Sequence, residues 1–160
     1  MTDPMVAAAQ HILDDSVAGM RPAIEGASAD ALNWRPAGEE TNSIGILAVH
    51  AMTSTRTWLS VAVGAPEPER DRDAEFRTQV QDPAELLATF DRLAGECRAA
   101  LATEDDIDWG GTRTPTRNPG SAPETITAGW TLLHALEHLR EHVAHLQLTR
   151  QLWDARADGE

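Results

Sequence analysis

Long amphipathic runs alternate along the chain with short clusters of Gly, Pro and acidic residues, and four of the runs carry the 3.6-residue period of a helix. The first spans about Pro4 to Gly26; Asp3 stands at the capping position, and Pro4 occupies the first turn, where its missing N–H costs nothing. A short piece from Ser28 to Trp34 leads into the breaker RPAG at positions 35–38. The second run starts at Asn42 or Ser43 and carries IGILAVHAMTSTRTWLSVAV as far as Gly64. The third opens at Asp82, a capping residue with Glu85 three positions on, and continues to about Thr103. The fourth follows Pro123 and runs to about Ala155. Between the second and third, EPERDRDAEFRTQV reads as a charged, solvated connection with a short turn of helix; Glu104 to Pro123, rich in Gly and Pro, reads as a long loop. No convincing strand pattern appears. These features predict an all-α protein, an antiparallel four-helix bundle with residues 1–155 as one domain and 156–160 as a frayed tail.

Stepping 100° per residue assigns faces to the helices. On the fourth run Glu137, Arg140, Glu141, Gln147 and Gln151 share one side, and Ala135, Leu139, Leu146 and Trp153 the other. His142 falls near the centre of the apolar side with His138 beside it, while His134 and His145 lie nearer its edge. On the second run Met52, Arg56 and Ser60 take one side; Ile46, Leu47, His50, Ser54, Thr57, Trp58 and Val61 take the other, with His50 in its middle. Two helices therefore aim imidazole at one core. A single buried histidine is most often a hydrogen-bonded core residue, but three that converge bring more donors and acceptors than a core readily satisfies. A divalent cation satisfies them. Histidines at i and i+4 project from consecutive turns, and a third from a facing helix completes a three-nitrogen site with one position open. Zn, Ni, Fe and Co all accept imidazole, so the donor set does not choose among them. A di-iron carboxylate site fits poorly, because Glu137 and Glu141 lack a histidine three positions on and face solvent. His11, beside Asp14 and Asp15, reads as exposed; His134 and His145 read as flanking groups.

Composition narrows the functional classes. The 160-residue chain carries a formal net charge of −13, its thirteen basic residues are all Arg, and phosphate backbones and anionic lipid would repel it. No nucleic-acid or membrane partner is expected. No apolar run reaches the roughly 18 residues of a membrane span, and the N-terminal stretch lacks the features of a signal peptide, so a cytoplasmic protein is expected. Cys97, the single cysteine, lies in a helical pattern and reads as a small core residue rather than a nucleophile.

Three blocks, LNWRP at 32–36, SIGILAVH at 43–50 followed by Trp58, and the ladder His134, His138, His142, occur in an order and at separations that resemble the DinB/YfiT-like superfamily of metal-binding four-helix bundles. The resemblance spans nearly the whole chain and implies a metal triad at His50, His138 and His142, the trio that the helical faces also select. Where the family often reads HRGQ after the last ligand, this chain has HVAH at 142–145, which puts His145 at the usual Gln position. Characterised members of that family include thiol-dependent transferases and isomerases that use mycothiol or bacillithiol with a divalent metal. The resemblance thus implies a metal-dependent thiol S-transferase or related enzyme with Zn, Ni or Fe, a low-molecular-weight thiol, a small-molecule substrate and a homodimer. Trp34, Trp58 and the loop Asp105 to Pro123 are the expected walls and lid, with Arg35, Arg72 and Arg113 as candidate contacts for a cofactor carboxylate. A non-catalytic metal-binding or stress-response bundle and a metal-dependent hydrolase stand as alternatives. The hydrolase would need a general base, and the pattern shows no obvious buried Asp or Glu.

Overall fold

Each long helix begins where a short polar side chain can satisfy backbone N–H groups that have no partner within the helix. In the computed structural model, which describes residues 3–102, 106–117, 119–120 and 122–157, Asp3 accepts from the N–H of Met5 at 2.7 Å and of Val6 at 3.3 Å and opens α1 (Pro4–Ile24). Ser28 caps the short α2 (Ala29–Asn33), and Ser43, through Ile46 N–H, caps α3 (Ile44–Val63). Gly64 ends α3 with φ of 79°, a left-handed conformation that favours glycine. Asp71 caps α4 (Arg72–Phe76), and Asp82 caps α5 (Pro83–Leu101). At the start of α6 (Ala128–Ala157) the Thr127 hydroxyl accepts from Trp130 N–H at 3.2 Å. The described residues also contain one 3-10 turn, Gly38–Glu40, and no strand; an isolated bridge pairs Thr112 with Thr127. The fold is all-helical.

The expected starts of α1, α3 and α5 hold, whereas α6 begins at Ala128 rather than directly after Pro123; the ends differ by a turn or less: α1 stops at Ile24, α5 at Leu101, and α6 continues through Ala157, into the segment expected to fray. Residues 103–105, on which the expected end of α5 and part of the expected lid fall, lie outside the described residues, as do 158–160.

Helix α3 packs against both α5 and α6, and α1 packs against the same two. A single cluster of buried side chains draws on all four, including Leu13 and Met20 of α1, Leu59 of α3, Phe90 of α5 and Leu139 of α6. Sixteen of the twenty residues of α3 are buried, so the two-sided reading of that helix needs correction. Met52 and Ser60, on the side opposite His50, are also interior, because α5 covers that side and the Cys97 thiol donates to the Met52 carbonyl at 3.6 Å. Three of its buried hydroxyls are satisfied within the helix: Thr55, Thr57 and Ser60 donate to the carbonyls of Ala51, Thr53 and Arg56.

The connection after α5 is anchored at several points. The Trp109 indole donates to Asp3 Oδ2 at 2.9 Å, and Arg113 Nε donates to the carbonyls of Val61 and Ala62 at the end of α3. Both Thr116 N–H and its hydroxyl donate to Glu67. This carries the loop back across the C-terminal end of α3. No helix among the described residues is long and apolar enough to cross a membrane.

Leu13 is fully buried on α1, which supplies none of the three histidines, so Leu13→Ala removes core contacts and leaves a cavity. Chemical denaturation should show a loss of about 2–5 kcal/mol without a change in ligand binding.

Candidate metal site

Residues i and i+4 of a helix present their side chains one above the other, and on α6 His138 and His142 do so, with Nε2 atoms 3.2 Å apart. The His50 ring, from α3, stands 5.3 Å from that of His138 and 5.0 Å from that of His142, centroid to centroid. One potential ligand atom from each of the three can be chosen so that all lie within 4.8 Å of one another, and among the described residues this is the one such group found.

The distances can be set against the needs of a cation. Imidazole nitrogens about 2.0–2.1 Å from a tetrahedral zinc ion lie roughly 3.3 Å from one another. The His138–His142 separation already matches, and the wider spread to His50 calls for a small ring movement. Burial supplies the remaining condition, a neutral donor. It drives the His138 pKa down to about 3, with the neighbouring His142, His50 and His134 and Arg70 adding to the shift. It likewise drives His142 down to about 4, aided by His50 and His145. Both rings are therefore neutral near pH 7. Their Nδ1 atoms are buried without a hydrogen-bond partner, so the pair's only mutual satisfaction is the Nε2···Nε2 approach. Such poorly satisfied buried rings cost free energy unless something binds them.

His50 is held differently. Its Nδ1 lies 2.8 Å from Glu75 Oε2, leaving Nε2 as the free nitrogen. Glu75 is 5% exposed, and Arg70 donates to both of its oxygens, from Nε at 2.7 Å and from the terminal guanidinium at 2.9 Å. Burial alone would raise the Glu75 pKa, but the hydrogen bonds from Arg70 and His50 outweigh it and hold the carboxyl below its usual range. A carboxylate on the far nitrogen of a ligating histidine fixes its tautomer and orientation and strengthens it as a donor.

Glu75 and Arg70 correct the sequence reading twice. A buried carboxylate does stand next to the site, and EPERDRDAEFRTQV is not merely a solvated connection. Its one helical turn, α4, presents Arg72, Glu75 and Phe76 at i, i+3 and i+4. Glu75 bonds His50, the Phe76 ring packs 4.5 Å from the His50 ring, and the Arg72 guanidinium sits 4.7 Å over Phe76. The available signal was Phe76, an aromatic residue inside a charged run.

A cavity of about 410 Å³ opens beside the cluster and exposes two of its three rings, with His50, His138, His134, Trp58 and Ser54 on its walls; His142 is not part of the lining. Arg70, Arg72, Arg117, Pro119 and Gly120 complete its lining, so the long loop does reach the site; Asn118 and Ser121 lie outside the described residues. His134 stacks on Trp130 at 4.8 Å and meets Trp58 edge-on at 5.1 Å, which makes it a wall rather than a member of the triad. His145 is exposed and stands 5.9 Å from the His142 ring, and His11 is exposed. Trp34 is not in the cavity lining; it packs edge-on against Trp153 at 5.7 Å. Arg113 is committed to the end of α3, Arg35 is absent from the lining, and of the three expected arginines Arg72 alone faces the cavity.

A model of the DinB superfamily matches residues 12–146, a span that contains all three histidines and α4. No curated protein sequence matches the chain.

Cys97 takes no part in this site. It is fully buried on α5, and burial pushes its thiol up to about 12. Treatment of the native protein with a thiol-specific disulfide reagent should release essentially no chromophore, whereas the same reagent in denaturant should titrate one thiol per chain.

Proposed function

Because the chain belongs to the DinB superfamily, we propose that His50, His138 and His142 hold one divalent cation, Zn, Ni or Fe, and that the protein is a metal-dependent enzyme acting with a small thiol, a thiol S-transferase or close relative. One observation carries the reading: three imidazoles, two of them held neutral by burial, meet beside a cavity large enough for a small molecule and lined by His50 and His138. In this reading the four long helices form the helical bundle of the family, and α3 and α6 supply the ligands. A cation there would lower the pKa of a thiol or water beside it and so provide a nucleophile at neutral pH.

The chain's own groups support this assignment. Glu75 holds His50 with Nε2 turned toward the other two rings, and Arg70 keeps Glu75 ionised. Trp58 and His134 form an apolar and aromatic wall that limits water at the open side. The hydrolase alternative requires a base free to activate water. Glu75, the buried carboxylate beside the histidines, has both oxygens committed to Arg70 and His50, so thiol chemistry is favoured over hydrolysis. Three protein ligands rather than four favour an exchangeable position over a purely structural site.

Metal analysis should find about one divalent ion per chain in the purified or reconstituted protein, lost on His50→Ala, His138→Ala or His142→Ala and kept on His11→Ala. Glu75→Gln, which retains shape but removes charge, should weaken metal affinity about 10–100-fold. Wild-type affinity in Glu75→Gln would remove the buttressing role given to α4. With cobalt in the site, adding a small thiol should produce an intense sulfur-to-metal charge-transfer band; a spectrum indifferent to millimolar thiol would refute the thiol reading while leaving the metal site intact.

A further inference from the structure

Charge is distributed unevenly around the cavity. The chain carries 26 acidic residues against 13 basic ones, yet among the described residues no carboxylate lines the space over the histidines, and three arginines do: Arg70, Arg72 and Arg117. A second cavity of about 250 Å³ shares Trp58 and all three arginines with the first, so the guanidinium groups border a continuous hollow. Two acidic residues, Glu67 and Glu69, line that outer part, and Glu67 already accepts both hydrogen bonds from Thr116.

The arginines are not equivalent. Arg70 is neutralised by Glu75 and serves His50. Arg72 and Arg117 make no ion pair among the described residues. Arg72 is nevertheless placed, because its guanidinium lies over Phe76 and Phe76 packs on His50. A stacked guanidinium leaves its edge N–H donors free, in the fork geometry that matches a carboxylate or phosphate. Arg72 and Arg117 both lie on the rim of one hollow, and with Glu67 already engaged by Thr116 an incoming anion meets there two guanidinium groups that no carboxylate of the described residues neutralises.

We propose that Arg72 and Arg117 form an anion subsite at the mouth of the cavity, and that the small molecule bound there carries a carboxylate or phosphate on one end while its reactive end points toward His50, His138 and His142. The subsite rests on the reading above only for the identity of that reactive end. Arg72 and Arg117 bind and orient; neither is assigned a part in bond making.

The test compares wild type with Arg72→Gln/Arg117→Gln, both cobalt-loaded and matched for metal content. Binding of 3-mercaptopropionate, 2-mercaptoethanol, propionate and inorganic phosphate is followed by absorption and by calorimetry. The expected result is that the double variant loses affinity for the charged ligands by about tenfold or more, while its affinity for neutral 2-mercaptoethanol is unchanged. A larger loss for phosphate than for propionate would identify a phosphorylated ligand, and the reverse a carboxylate. An equal loss for charged and neutral thiols, or none for either, would overturn the subsite. If no thiol alters the cobalt spectrum but propionate or phosphate still binds in an arginine-dependent way, the thiol reading fails and the subsite stands.

Discussion

A carboxylate buried to 5% exposure is stable only with its charge balanced and its lone pairs filled, and Glu75 meets both needs through Arg70 and His50. Losing one partner from a buried pair of this kind typically costs about 3–5 kcal/mol, because the remaining charge is stranded. That penalty holds the charged connection between α3 and α5 down against α3. It also explains how a helix of five residues, far too short to be stable alone, keeps its place. Everything α4 brings to the site depends on the same interaction: the tautomer of His50, the aromatic support of Phe76, and the position of Arg72 over that ring.

The opposite wall is held by different means. Helix α6 runs for thirty residues and supplies His138 and His142 from consecutive turns, so their spacing follows from helix geometry alone. Among the described residues no carboxylate braces them. Their contribution is neutrality, imposed by burial and by the neighbouring imidazoles, and neutrality is what a nitrogen donor needs. The site thus joins one ring braced by an ion pair to two rings set by helix periodicity. Trp58 and Trp130 then hem in His134 beside them.

The parts of this arrangement that follow from periodicity were legible in the sequence. Counting 100° per residue brought His50, His138 and His142 to one interior, and cap residues such as Asp3, Ser43 and Asp82 marked helix starts that the structure keeps. What escaped was set by tertiary charge pairing. Glu75 and Arg70 count as solvent-loving in any hydropathy pattern, and their burial becomes understandable only once each is seen to satisfy the other. Met52 and Ser60 escaped for a related reason: α3 lies between α5 and α6, and a helix enclosed on two sides has no clear polar face. Arg113 looked like a ligand contact but supplies donors to the carbonyls at the end of α3, a role fixed by where the long loop returns.

The central claim is that three imidazoles from α3 and α6, one of them braced by Glu75, surround a single cation and leave part of its shell open. X-ray absorption on the zinc-loaded protein examines that shell directly. The account predicts three imidazole nitrogens at about 2.0–2.1 Å, recognisable from outer-ring scattering, with one further light atom. A first shell with two or fewer imidazoles, or one completed by carboxylates in place of a ring, would contradict it.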